Sequence, residues 1–264
     1  MKNMYPEQFY SSETESFLYH YTSWESAFLH ILPLGKIRLS KLTKTNDPAE
    51  FSDYYPENFI SKDHKEGMYN YEKGCEILAL RDNIKLICFC YDKKAQNKSL
   101  FGKGFLRSRM WSQYAKDQTG VCIVFNKESI IECIKQAIYP RKLLHGKVTY
   151  TNELQINKLL VNDNKVDNKK YIESNYRGFI LQKLKDYKDE NEYRVCFLDD
   201  EERDFFEIDI YRHSIKAVIA GIRTPYPVLQ SLATQCLKHE CDLFQLMYLN
   251  GEYTLQVPLF IKLR

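Results

Sequence analysis

Two short segments far apart in the chain carry the side chains best suited to chemistry. Glu190, Glu192 and Arg194 stand at alternate positions of Glu190-Asn191-Glu192-Tyr193-Arg194-Val195-Cys196-Phe197-Leu198, and His20 lies in Phe17-Leu18-Tyr19-His20-Tyr21-Thr22. Both segments read as β-strands with polar groups at one end and apolar ones along their length. Alternate side chains of a strand share a face, so the three charges point the same way. Such charges are costly to bury on an apolar strand unless they are paired or meet water or a ligand. The strand end is therefore a candidate site, with His20 as its candidate partner, and its groups are of the kind that hold sugar hydroxyls and charge.

The elements that must position these residues can be read along the chain. Ser23 is a good N-cap for a helix over 24–32, which Gly35 ends. Ile37–Ser40 is extended, and Asn46-Asp47-Pro48-Ala49-Glu50 is a turn or helix start. A helix is expected over 62–82, buried strands at 84–90 and 121–125, a short helix at 110–115, and a helix over 129–138. Residues 147–150 are extended, 152–170 form an exposed polar insertion, and a helix over 170–185 leads into the Glu190 strand. A strand at 215–221, a helix over 227–243 and an Asn250-Gly251 hairpin complete the chain. Strands and helices mix without regular βαβ alternation, so the class is α+β. A single domain over 1–264 is expected, with residues 1–16 as a polar extension.

With 264 residues, 44% hydrophobic and 28% charged, the chain can bury a substantial core. A net charge of +3 is too small to imply a nucleic-acid partner by itself. No apolar run is long enough to span a membrane, and the first residues lack the apolar core of a signal peptide. Eight cysteines without regular spacing predict buried free thiols in a reducing cytoplasm rather than a disulfide framework. Cys236, His239 and Cys241 are too few for structural zinc, which wants four ligands, so no metal is expected.

Five motifs follow one another in a fixed order: His20-Tyr21-Thr22, Asn46-Asp47-Pro48-Ala49-Glu50, Met110-Trp111-Ser112-Gln113-Tyr114-Ala115, Gly120-Val121 and Glu190-Asn191-Glu192-Tyr193-Arg194. In this order they resemble an uncharacterised bacterial family of domains of unknown function, over residues 17 to 225. More loosely, the order of a first-strand His, a helix ending in Gly, a helix carrying Tyr and a late Glu-x-Glu strand looks like the ADP-ribosyltransferase superfamily. That resemblance implies a mixed, mainly antiparallel split sheet flanked by helices, and NAD as substrate. His20, Tyr21 and Thr22 would contact NAD, with Trp111 and Tyr114 as stacking candidates and Arg109 and Arg194 on the diphosphate. Glu192, with Glu190 beside it, would be the catalytic acid. The sequence departs from the superfamily's Arg-type pattern in having His-Tyr-Thr in the first strand, and Cys88-Phe89-Cys90 stands where a Ser-Thr-Ser strand is expected.

The implied reaction cleaves the nicotinamide–ribose bond, with oxocarbenium character at the ribose carbon as in glycoside cleavage. A nearby carboxylate stabilises that charge, and the pyridinium departs neutral without a proton donor. Water as acceptor gives a NAD glycohydrolase; a protein or nucleic acid as macromolecular acceptor gives a transferase, in a toxin or anti-phage defence setting. Two rivals stand beside this. A nucleic-acid-processing enzyme or binder would use the loop from Lys93 to Arg109, which holds six basic residues and no acid. A catalytically silent interaction module would use the Glu-x-Glu strand only to pair with Arg194. Trp111 and Tyr114 also fit a helix face turned to the core, and Asp47 a helix-start turn.

Overall fold

Alternating apolar residues build the centre of the molecule. β1 (Phe17–Thr22), β3 (Ile84–Cys90), β4 (Val121–Asn126), β8 (Glu192–Leu198) and β10 (Ile215–Ala220) are buried almost throughout. The computed structural model describes residues 16–51, 64–93, 100, 102–154, 167–211 and 213–258. The expected N-terminal extension, Lys94 and Lys98 of the basic loop, and most of the 152–170 insertion lie outside the described residues.

One edge of the main sheet is the hairpin of β11 (Asp242–Leu249) and β12 (Glu252–Gln256). From it the order runs β12-β11-β10-β4-β1-β3, then β2 (Lys36–Lys41) and β9 (Phe205–Asp209). β8 lies along the other side of β3 and carries β5 (Leu144–Lys147) on its far edge. Among the described residues only β10 and β11 run parallel in this sheet. A second, two-stranded parallel sheet joins β6 (Thr149–Thr151) to β7 (Gln182–Leu184). The architecture is α+β with a mixed, mainly antiparallel sheet, as the sequence predicts.

Register decides which side chains meet. Tyr19 faces Cys90, and Cys90 and Cys88 face Glu192 and Arg194 across β3 and β8. These residues therefore share one face with Tyr21. Leu18, His20, Phe89, Tyr193 and Val195 occupy the other. The second face is covered by the helical stretch α1 (24–34), by α5 (Lys127–Ile138) and by α7 (Tyr226–His239), which supply Ile31, Ile134 and Leu232 to its core. The first face packs α4 (Ser108–Gln113) through Met110 and Trp111, and farther along α3 (His64–Ala79) through Ile77 and α6 (Asn168–Phe179) through Ile172. The remaining short helix, α2 (Pro48–Phe51), follows the Asn-Asp-Pro turn.

Three expectations need correction. The helix expected over 170–185 ends at Phe179, because Asn175 is already non-helical and Gly178 is a poor helix residue. Lys183 consequently sits on β7, opposite Tyr150. The Glu190 strand begins only at Glu192: Glu190 closes a 3-10 turn, Lys185–Glu190, and Asn191 takes a left-handed conformation (φ 49°). Finally, α7 stops at His239, so that 242–249 is free to form β11.

The loop before β4 is tightly constrained. Lys116, Asp117 and Gln118 are all left-handed, and Gly221 packs directly against the Gln118 backbone. A Cβ on Gly221 would lie 2.1 Å from the Gln118 carbonyl oxygen, a backbone atom that cannot rotate away. Gly221→Ala is therefore expected to cost about 2 kcal/mol, in the range of overpacking. Urea unfolding would show this as a lower midpoint with an unchanged slope; an unchanged midpoint would mean that the 116–119 segment yields freely.

Candidate functional site

The polar end of β8 lies at the centre of a buried ionic cluster. Arg194, 1% exposed, donates from Nε to Glu192 Oε1 (2.7 Å) and from Nη1 to the Ile180 carbonyl (2.6 Å). Its Nη2 forms an ion pair with Glu50. Lys183 Nζ reaches Glu190 Oε2 at 2.8 Å and Glu192 Oε2 at 2.9 Å. Thr45 donates to Glu50, and the Tyr114 hydroxyl donates to Glu190 Oε1 at 3.3 Å. The Glu192 backbone N–H donates to the Tyr150 hydroxyl at 2.9 Å. Glu192, 3% exposed, is thus held by both cations, and Glu190, 1% exposed, by Lys183 and the Tyr114 phenol.

Asp47 adds a fourth buried carboxylate. Its Oδ1 caps the turn into α2 by accepting from the Ala49 N–H at 3.0 Å, but its Oδ2 accepts no hydrogen bond among the described residues. Tyr187, which lies against this group, has its phenol pKa raised by burial and by the charge of Asp47. Above the Tyr187 ring stand the Lys183 ammonium and the Arg109 guanidinium, each 4.9 Å from its centroid. Arg109 is fixed there by donating to the Asp186 carbonyl. Glu50, Glu190 and Glu192 therefore face Lys183 and Arg194 in one buried cluster, with Tyr114, Tyr187 and Arg109 on its outer side and Asp47 close enough to Tyr187 for its charge to act on the phenol.

The electrostatics follow from this surplus of carboxylates. Burial alone would raise the Glu192 pKa, but Arg194 and Lys183 outweigh it and hold it at about 2. Burial raises Glu50 above the ordinary carboxylate value despite Arg194 and Lys183. Burial also works against the Lys183 charge, and its carboxylate neighbours, Glu192 foremost, reverse that and keep it firmly protonated. The Cys88 thiol is pushed up by burial and by Glu192, and so stays protonated and unreactive.

The structure joins Glu190, Glu192, Arg194, Tyr114 and Arg109 and separates the others from them. His20 and Thr22 lie on the opposite face of the sheet from Glu192. The His20 Nδ1 is 3.0 Å from the Cys88 carbonyl oxygen, its ring packs on Phe89, and burial lowers its pKa. The expected pairing of His20 with the Glu192 strand therefore fails on strand register. Tyr21 is on the same face as Glu192, but its hydroxyl is occupied by the Gly104 carbonyl and the Arg107 N–H. Trp111 is a core residue: it is 2% exposed, its indole N–H donates to the Phe105 carbonyl, and its ring meets Tyr21 edge-on. Among the described residues no group of His, Cys, Asp and Glu is placed to hold a metal ion. No described helix is long and apolar enough to cross a membrane.

Sequence reasoning missed Lys183, Glu50, Tyr150 and Tyr187. Glu50 had a signal, an acid at a fixed offset from the Asn-Asp-Pro turn. Lys183 had none, because its place on a strand depends on an early helix stop. The described part of the basic loop is largely occupied: Lys103 pairs with buried Asp92, and Arg107 donates to the Gly102 carbonyl.

A family model described as Protein of unknown function (DUF2971) matches residues 110–195, a span that contains Tyr114, Lys183, Glu190, Glu192 and Arg194. No curated protein matches the chain, and no solved structure does. The likeness to ADP-ribosyltransferases thus has no counterpart in these comparisons.

Proposed function

We propose that the chain is an enzyme of the ADP-ribosyltransferase type that breaks the nicotinamide–ribose bond of NAD at this cluster. The observation that carries the reading is the carboxylate surplus, which leaves one buried Asp47 oxygen without a donor. A ribose hydroxyl is a donor of the kind that oxygen lacks. Positive charge developing at the ribose carbon is what an excess of fixed carboxylates stabilises. Glu190 is the better acid of the pair, because Glu192 is tied to both Arg194 and Lys183, whereas Glu190 is held by Lys183 and the Tyr114 phenol. In this scheme Tyr114 and Tyr187 supply ring faces to the pyridinium, and Arg109 meets the diphosphate. Heterolysis leaves neutral nicotinamide, and the ribose carbon is captured by water, which releases a proton, or by a protein or nucleic-acid nucleophile. A split sheet belongs to the same reading: β3 shares one edge between β1, at Cys90, and β2, at Lys85 and Leu86. An enzyme that consumes NAD in this way fits a toxin or anti-phage effector.

A second reading has an observation of its own. All four oxygens of Glu190 and Glu192 have partners within the chain, which is what an ionic scaffold in a catalytically silent module requires. Nicotinamide release from NAD, in the presence of cell lysate, separates the two. The parent is expected to release nicotinamide, and Glu190→Gln to release it about 100-fold more slowly, as for loss of one fixed electrostatic group. Absence of release from the folded parent would sink the enzymatic reading and leave the scaffold.

A further inference from the structure

Where α7 ends, the chain closes it with a Schellman turn flanked by two cysteines. Glu240 takes the left-handed conformation (φ 54°), and its N–H donates to the Leu237 carbonyl at 3.3 Å. The next N–H, that of Cys241, donates to the Cys236 carbonyl at 3.0 Å. These two bonds are the 5→2 and 6→1 pair of the motif, in which the side chains on either side of the turn pack on each other. Here those side chains are the Cys236 and Cys241 thiols. Cys236 is 2% exposed in the core that α7 covers, and half-buried Cys241 packs against the same core.

The turn brings the two thiols within disulfide range. With standard bond lengths, a carbonyl oxygen 3.0 Å from the Cys241 nitrogen leaves the two Cα atoms no more than about 7 Å apart. Disulfides span about 4.4–6.8 Å between Cα atoms. The sulfurs themselves meet: Cys236 donates its S–H to the Cys241 sulfur, and this bond, together with burial, raises the Cys236 pKa. Other buried thiols are engaged differently. Cys133 Sγ lies 3.5 Å from the Ser214 hydroxyl, and Cys196 donates to the Leu144 carbonyl at 3.4 Å. His239, between the pair in sequence, is turned to the Leu32 carbonyl of α1, and among the described residues no further ligand joins the two thiols into a metal site.

We propose that Cys236 and Cys241 are a redox-active pair that closes to a disulfide across the end of α7 on reaction with a low-molecular-weight disulfide such as glutathione disulfide. The pair is separate from the carboxylate cluster and does not depend on its chemistry. Cys241, the more accessible thiol, loses its proton and attacks one sulfur of glutathione disulfide. A mixed disulfide forms, and the glutathione thiolate that leaves takes up that proton. Cys236 then loses its proton and attacks the Cys241 sulfur, displacing the second glutathione as a thiol. Two protein thiols have become one disulfide and one glutathione disulfide two thiols, so electrons and protons balance. Conversion of the Cys241 thiol removes the first cause of the raised Cys236 pKa, so the first step eases the second. The bond ties the last turn of α7 to the residue that leads into β11.

In the test, the full folded chain is treated with glutathione disulfide, its remaining thiols are alkylated, and it is digested with trypsin without reduction. Trypsin cuts after Lys238, between the two cysteines, so the bond joins peptide 224–238 to peptide 239–262. The expected result is that linked pair from the folded parent, and its loss on treatment with dithiothreitol. In Cys236→Ser the reaction is expected to stop at Cys241, leaving glutathione on peptide 239–262. Exposed Cys75 takes up glutathione in both chains and shows that the reagent has acted. Absence of the linked pair from a folded parent that carries glutathione on Cys75 would overturn the proposal. A linked pair that forms only in urea would overturn it too, because the folded turn would then not be what joins the thiols.

Discussion

Arg194→Met is expected to destabilise the protein by about 3–5 kcal/mol, the cost of removing one partner from a buried charge pair. The guanidinium serves Glu192 through Nε and Nη2, Glu50 through Nη2 and the Ile180 carbonyl through Nη1. Without it, Lys183 alone faces Glu50, Glu190 and Glu192. Methionine fills a similar volume, so the loss is one of charge and hydrogen bonds more than of packing. Arg194→Lys keeps the charge but cannot reproduce the planar fork, and is expected to fall between the parent and Arg194→Met. The measurement is equilibrium urea unfolding, with the double variant Glu192→Gln/Arg194→Met completing a cycle. Removing the stranded carboxylate should recover 0.5–3 kcal/mol relative to additivity, the range for residues in one network. Strict additivity would show that the two side chains do not act together, and the account of the cluster would fall.

Lowering the pH from 5 to 2 is expected to remove on the order of 3 kcal/mol that Glu192 contributes, at 1.36 kcal/mol per pKa unit. Its folded pKa of about 2 lies below its ordinary 4.5. The contribution is therefore complete above pH 4.5 and is lost as the pH falls through 2. Glu50 acts in the opposite sense: its raised pKa makes its charge a cost to the folded state, and protonation relieves that cost on the way down. Stability measured at intervals from pH 5 to pH 2 should fall steeply in the parent and less steeply in Glu192→Gln. Equal slopes would assign the acid sensitivity to other carboxylates.

Much of the fold was legible because its strands are apolar and its breaks are marked by particular residues. Ser23 caps α1, Gly35 closes it with a left-handed φ of 62°, and Asn250-Gly251 turns the last hairpin. These are local signals, carried by the residues that make each break. The candidate site was legible only in its β8 half. Glu192 and Arg194 stand out as charges in an apolar strand, and that anomaly marks the buried cluster. Their partners come from elements whose positions depend on tertiary pairing. Lys183 joins because β7 pairs with β6, and Glu50 because the Asn-Asp-Pro turn folds back over β8. His20 shows the converse: it too is polar in an apolar strand, but register, which no local signal fixes, puts it on the wrong side.

The opposed faces of β8 have a consequence for the field inside the molecule. Excess negative charge lies on one side of the sheet and the Lys127 and Lys147 ammoniums, over Tyr193 and Tyr91, on the other, with only a pleated backbone between them. The arrangement resembles a charged capacitor whose insulating layer is the sheet itself. Buried charges are screened far less than exposed ones, so part of the potential across that layer persists at physiological salt. Whatever neutralises one plate alters the voltage felt by the other, and the two sides of β8 are in electrical communication even where no side chain passes between them.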